Sequence, residues 1–206
     1  MLNLPKCTEV NRQLPKKAIY EKFSLSQQAR HAFDADISKI VIVNELSPST
    51  TTIEKGTSIS MFYVLHIFLK QQTIAIKNLE LLSKLIDQKM LFVLEYEGKI
   101  KLAIYHLKLL HTDWQPISGL SLHLQGLNFD VVWDNIIVQV GGIQIENGNS
   151  LNEQILLGEY KVKLQKQMDS LEKQARSEKQ PRKKFELVQQ LQKLQVSLLL
   201  TYPLSC

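Results

Sequence analysis

The chain has 206 residues, 44% hydrophobic and 22% charged, with a formal net charge of +5; this is the composition of a folded protein and excludes a disordered one. Cys7 and Cys206 are the only cysteines and form no C-x-x-C pair, which excludes a disulfide framework and points to a reducing cytoplasm. The N-terminus has no apolar leader, and the most apolar stretch, residues 59–69, falls short of the ~20 residues that span a bilayer, so no membrane is expected as partner.

Residues 1–14 mix polar and apolar side chains without period and read as extended. Pro15 opens a short helix over 16–23, since proline wastes no donor there. Ser24 or Ser26 caps a second helix through Phe33. Residues 37–46, rich in Ile and Val and closed by Ser47-Pro48-Ser49, read as a strand. Residues 47–52 form a Ser/Thr-rich surface loop. Both alternating faces of 58–69 are apolar, which is the pattern of a central strand covered on both sides, or of a buried helix. Leu79, Leu82, Leu85 and Ile86 recur at helical spacing and predict a helix over 76–88. Two strands, 90–96 and 100–107, flank Glu97-Gly98, a tight hairpin signal. Residues 120–124 suggest one more strand. Asn128 caps a helix over 128–140 with Val132, Ile136, Ile137 and Val140 on its buried face.

Gly141-Gly142 and the run 146–150 close the body, and Ser150 or Asn152 starts a helical arm. The expected organisation is a globular body over 1–150 and a basic amphipathic arm over 151–206. In the arm Leu164, Met168, Leu171 and Ala175 follow a 4-3-4 spacing, and Leu187, Leu191, Leu194 and Leu198 repeat it. That is a coiled-coil seam under two heptads long in each half. Pro181 separates the halves and costs ~3 kcal/mol inside a helix, which favours two helices folded as a hairpin over one kinked helix. The seam then needs a partner: the other half, a second copy of the chain in a homodimer, or another protein.

The arm also holds the charge. Residues 1–158 balance 15 basic side chains with 15 acidic ones, whereas 159–206 carry 10 against 5. Lys173, Arg176, Lys179 and Lys183 step by 3, 3 and 4 residues, as a single helical face would, and Arg182 and Lys184 thicken the patch. Such cations meet nucleic-acid phosphates or an acidic protein surface. The plainer reading is a solvated face with pairs Glu172/Arg176 and Glu178/Arg182 four residues apart. No aromatic residue interleaves the stripe, which disfavours single-strand stacking.

Catalytic signatures are missing: there is no Gly-rich phosphate loop, no G-x-S-x-G and no G-x-G-x-x-G. The five histidines, His31, His66, His106, His111 and His123, lack metal spacing, so neither a metal nor a cofactor is expected. Asp87, Glu95 and Glu97-Gly98-Lys99 superficially match a Mg-dependent nuclease, but a hairpin tip is the wrong place for the acid and lysine. Trp114, beside Asp113, is a candidate partner anchor, although such a tryptophan more often plugs the edge of a core.

Several short segments in order resemble one family. They are Pro5-x-x-Thr8-x-Val10-Asn11-Arg12-x-Leu14-Pro15-Lys16, Leu46-Ser47-Pro48-x-Thr50, Phe92-Val93-Leu94-Glu95-Tyr96, Thr112-Asp113-Trp114 and Arg176-x-Glu178-Lys179-Gln180-x-x-Lys183. The family is bacterial and known only as a domain of unknown function, number forty-three ninety-one. Glu45 beside Asn44 departs from its pattern, which has a basic residue there. The resemblance implies a genomic setting beside helicases, DNA methyltransferases and restriction-like enzymes in anti-phage defence loci. It brings no catalytic residue with it.

The expectation is therefore an α+β body with a mixed or mainly antiparallel sheet and packed helices, carrying a long C-terminal helical arm. Its function is expected to be that of a non-catalytic, cytoplasmic accessory subunit that docks on a larger DNA-acting protein. Direct binding to double-stranded DNA is the alternative, and a divergent nuclease comes third.

Overall fold

The computed structural model describes residues 2–200. Its centre is a mixed sheet of seven strands in the order β1-β2-β3-β4-β5-β6, with β7 also on β5. The strands are β1 (Glu9–Gln13), β2 (Ile37–Leu46), β3 (Phe62–Leu69), β4 (Lys89–Tyr96), β5 (Lys99–His106), β6 (Lys108–His111) and β7 (Gln115–Pro116). Every pairing is antiparallel except β3 with β4. A parallel pair needs a crossover, and helix α3 (Ile76–Ser83) provides it.

The double-sided apolar pattern of β3 is explained by what lies above and below it. Leu65, Ile67 and Leu69 face a cluster built with Ile19 of α1 (Lys16–Lys22), Phe33 of α2 (Gln27–Asp36) and Leu79 and Leu82 of α3. Phe62 faces the other way, 5.9 Å edge-on from Phe129 and 5.1 Å from Trp133, both on helix α4 (Phe129–Gly141). Burying such aromatic side chains contributes on the order of 1.5–3 kcal/mol each. The caps are largely those the sequence implies: Ala29 N donates to Ser26 Oγ, Val131 N donates to Asn128 Oδ1, and Gly142 closes α4 in the left-handed region at φ 57°.

Several expectations need correction. Residues 120–124 form no strand; Leu122 N donates to Leu2 O at 3.1 Å, a single backbone link. The third helix stops at Ser83, and Leu85 tucks into the core from the turn that follows. Within 58–69 only Phe62–Leu69 is strand. Residues 57–59 are instead held by Asp130, whose carboxylate accepts from Thr57 N at 2.7 Å, Ser58 N at 3.2 Å and Ile59 N at 2.7 Å. The extended N-terminus contains a paired strand, β1, interrupted by a bulge between Glu9 and Arg12 where Asn11 takes φ 49°. β6 had no sequence signal, because the chain reverses at Leu107 (φ 58°) without Gly, Asn or Asp.

The Glu97-Gly98 turn is as expected: both residues have positive φ, 47° and 75°, as a two-residue hairpin of type I′ demands. The chain divides into two units, one ending at Ile143 and the other starting at Gln144. Among the described residues no helix is long and apolar enough to cross a membrane.

Candidate interaction surface

The second unit is a helical hairpin. Ser150 opens α5 (Leu151–Ser177) with a capping box: Glu153 N donates to Ser150 Oγ, and Ser150 N donates to Glu153 Oε2 at 2.8 Å. Pro181 then acts as a start and not a kink, because it occupies the first position of α6 (Pro181–Leu200). Glu178 is extended, with ψ 127°, and its carboxylate accepts from Gln180 N at 2.9 Å to hold the connector. The two helices pack on each other. Residues 201–206, including Cys206, lie outside the described residues.

The seam is only partly closed. Leu164 and Ala175 are buried, whereas Met168, Leu171, Leu187, Leu191, Leu194 and Leu198 are half-exposed. A groove lined by Leu171 and Leu194 with Gln167, Ser170, Gln174, Gln190 and Lys193 runs between the helices. Outside the expected seam, Phe185 is 63% exposed and Val196 56%, with Val188 between them. Sequence reasoning missed this second stripe on α6, although 185, 188 and 196 fall on one helical face.

The cations are arranged differently from the expected single stripe. Lys173 and Arg176 lie on the last turns of α5, Lys179 in the connector, and Arg182, Lys183 and Lys184 on the first turn of α6. The break before Pro181 removes the continuous face. It also removes the expected Glu178/Arg182 pair: Arg182 instead faces Glu186, four residues ahead, while Arg176 does pair with Glu172. All six cationic side chains are exposed. The first turn of α6 contains no acidic residue. Positive charge there opposes the helix dipole, a disfavoured placement by about 0.3–1 kcal/mol per residue.

In the first unit, Thr112-Asp113-Trp114 is where the edge of the sheet leaves β5 and returns. Thr112 N donates to Leu102 O, and Leu102 N donates to Thr112 Oγ1, both at 3.0 Å; β7 then rejoins β5 at Ile100. This crossing lays the half-buried Trp114 ring against the core, with Lys101 Nζ 5.9 Å above it. Burial lowers the Lys101 pKa, partly offset by Asp113. Trp133 is core, as its helix position implied.

The nuclease-like acids are not brought together. Glu95 points at His66, with Oε2 2.6 Å from His66 Nε2, while Glu97 at the turn accepts from the Tyr96 hydroxyl and raises its pKa. The His66–Glu95 contact is close but lacks the alignment of a directed hydrogen bond. Burial pushes the imidazole pKa down, and Glu95 pulls the other way. Among the described residues no three His, Cys, Asp or Glu side chains gather as a metal site requires. Cys7 is exposed and donates to Thr50 O at 3.1 Å.

A family model matches residues 2–198, nearly the whole chain. The chain belongs to the family described as Domain of unknown function (DUF4391). In this DUF4391 chain the segments quoted above serve as fasteners. Asn44 Nδ2 donates to the buried Thr8 Oγ1, which donates to Pro5 O at 2.7 Å. Thr50 Oγ1 donates to Glu45 O and accepts from Ser47 N at 3.0 Å. Neither the curated proteins nor the solved structures contain a match to it.

Proposed function

We infer that this DUF4391 protein is a non-catalytic accessory subunit that uses its helical hairpin to dock on a larger protein acting on DNA. One observation carries the reading. Arg182, Lys183 and Lys184 stand at a helix start that repels cations, with no acid in that turn. A hairpin built only for its own stability would place Asp or Glu there; a sequence breaks such local rules mainly where function requires it. The partner surface is accordingly anionic. Beside the cations, Phe185 and Val188 supply exposed apolar area, the combination of a charged rim and apolar anchors that interfaces use.

The family resemblance supplies the class of partner, a helicase or methyltransferase of a defence or restriction-like complex in the cytoplasm. The test is co-purification of the full chain with the helicase or methyltransferase encoded beside its gene. Phe185→Asp with Val188→Asp should abolish recovery while leaving the melting temperature within error. Unchanged recovery would reject docking through the hairpin.

The same cations favour a second reading, direct contact with the duplex backbone. Then affinity for an arbitrary duplex falls steeply with salt, the log-log slope approaching −0.9 per phosphate neutralised, and Lys183→Ala with Lys184→Ala lowers that slope by ~2. Absence of a shifted band at low salt removes this alternative.

A further inference from the structure

A second candidate site lies within the first unit, away from any role given to the hairpin. On the helix-α3 side of the sheet a cavity of about 340 Å³ opens beside Trp114. That volume lies within the usual ~300–1,000 Å³ of small-ligand sites. Its walls are Leu79 of α3, Leu94 of β4, Ala103 of β5 and Leu109 of β6, and Ile74 and Ile76 form its lip. The lip belongs to the segment joining β3 to α3 and to the first turn of that helix. It therefore lies beyond the carboxyl end of β3, a member of the parallel pair.

Three features make the cavity selective. The Trp114 ring lines it and offers an aromatic wall. Lys101 lines it too, and among the described residues its ammonium makes no hydrogen bond or close ion pair; it stands 5.9 Å from the Trp114 ring centre, and the charge of Asp113 offsets part of its burial. Ile76 is 61% exposed at the mouth, a large apolar side chain with its outer face uncovered. Asp113 and His111 are the other titratable groups nearby: Asp113 is exposed, and His111 Nδ1 is 3.1 Å from Thr112 O.

We propose that this cavity binds a compact planar aromatic anion, its ring stacked on Trp114 between the Leu and Ile walls and its carboxylate or phosphate held by Lys101. A flat ring matches an aromatic wall, since offset stacking adds attraction beyond area burial. The charge is required because a half-buried ammonium with no hydrogen bond or close ion pair gains from an anion, in a setting where water screens the pair poorly.

The probes are 2-naphthoate and 2-naphthol, of nearly equal shape, the first an anion and the second uncharged at neutral pH. Each is titrated calorimetrically into the full-length chain. Naphthoate should bind at least ~10-fold more tightly than naphthol, and Lys101→Gln should bring the two within ~3-fold. Trp114→Leu should weaken both by roughly 10-fold. If Trp114→Leu does not fold, Ile76→Asp at the exposed lip serves instead and should weaken both probes, naphthoate more than naphthol because the new carboxylate also repels it. Equal affinity for the two probes, no heat with naphthoate, or affinity unchanged by Lys101→Gln would each overturn the proposal.

Discussion

Asp130 shows how one side chain organises a stretch of chain far away in sequence. Burial works against its charge, but the N–H groups of Ser58, Ile59 and Thr57 outweigh that and hold its carboxyl below the ordinary range. Gly56 is part of the same device, because a Cβ there would lie 2.4 Å from Asp130 Oδ1 and 2.8 Å from Asp130 N. The backbone atom cannot move aside. Gly56→Ala and Asp130→Ala are both expected to lower the melting temperature and to expose the 57–59 amides to hydrogen exchange. His66 gives a pH dependence of definite sign. Its folded pKa lies below the unfolded value of about 6.5, so the unfolded chain binds more protons as pH drops. The stability it contributes is complete above that pH and is lost on acidification through it. Chemical denaturation between pH 7.5 and 5.5 should show this slope, and His66→Gln should flatten it. Neither role was legible beforehand. The sequence offers Asp130 as an ordinary first-turn acid and His66 as a polar gap in an apolar strand, and the partners lie 71 and 29 positions away.

At the scale of elements, legibility followed local determinacy. Both faces of β3 are apolar and the strand is central; Glu97-Gly98 admits one turn; Ser150 and Glu153 announce a helix start. What failed was whatever pairing decides. β6 forms because β5 offers it an open edge, through a reversal at Leu107 that no turn residue advertises. The seam of the arm was readable from spacing, yet the fate of the basic residues was not. Those depended on whether Pro181 ends or begins a helix, and it begins one. This bears on the first turn of α6. Lys183→Glu replaces a repelled charge with an attracted one and should stabilise the helical hairpin by about 0.3–1 kcal/mol. The helical signal in a thermal melt would report it. If the patch serves an anionic partner, the same variant binds that partner less well, so stability and recovery move in opposite directions.

At the scale of the molecule, the α+β architecture and its helical appendage were both readable, because hydrophobic period and charge change character together near residue 150. Sheet order was not, since a parallel β3–β4 pair within an otherwise antiparallel sheet follows from long-range packing. The outermost strand has a final consequence. All five residues of β1 are exposed, and among the described residues its outer side has no neighbour in the strand order. An open rim of this kind invites stacking of one molecule onto the next. The twist at Asn11 spoils the flat template that such growth would need. Asn11→Val should flatten it, and light scattering of a concentrated solution should then register slow fibre-like growth where the parent stays clear.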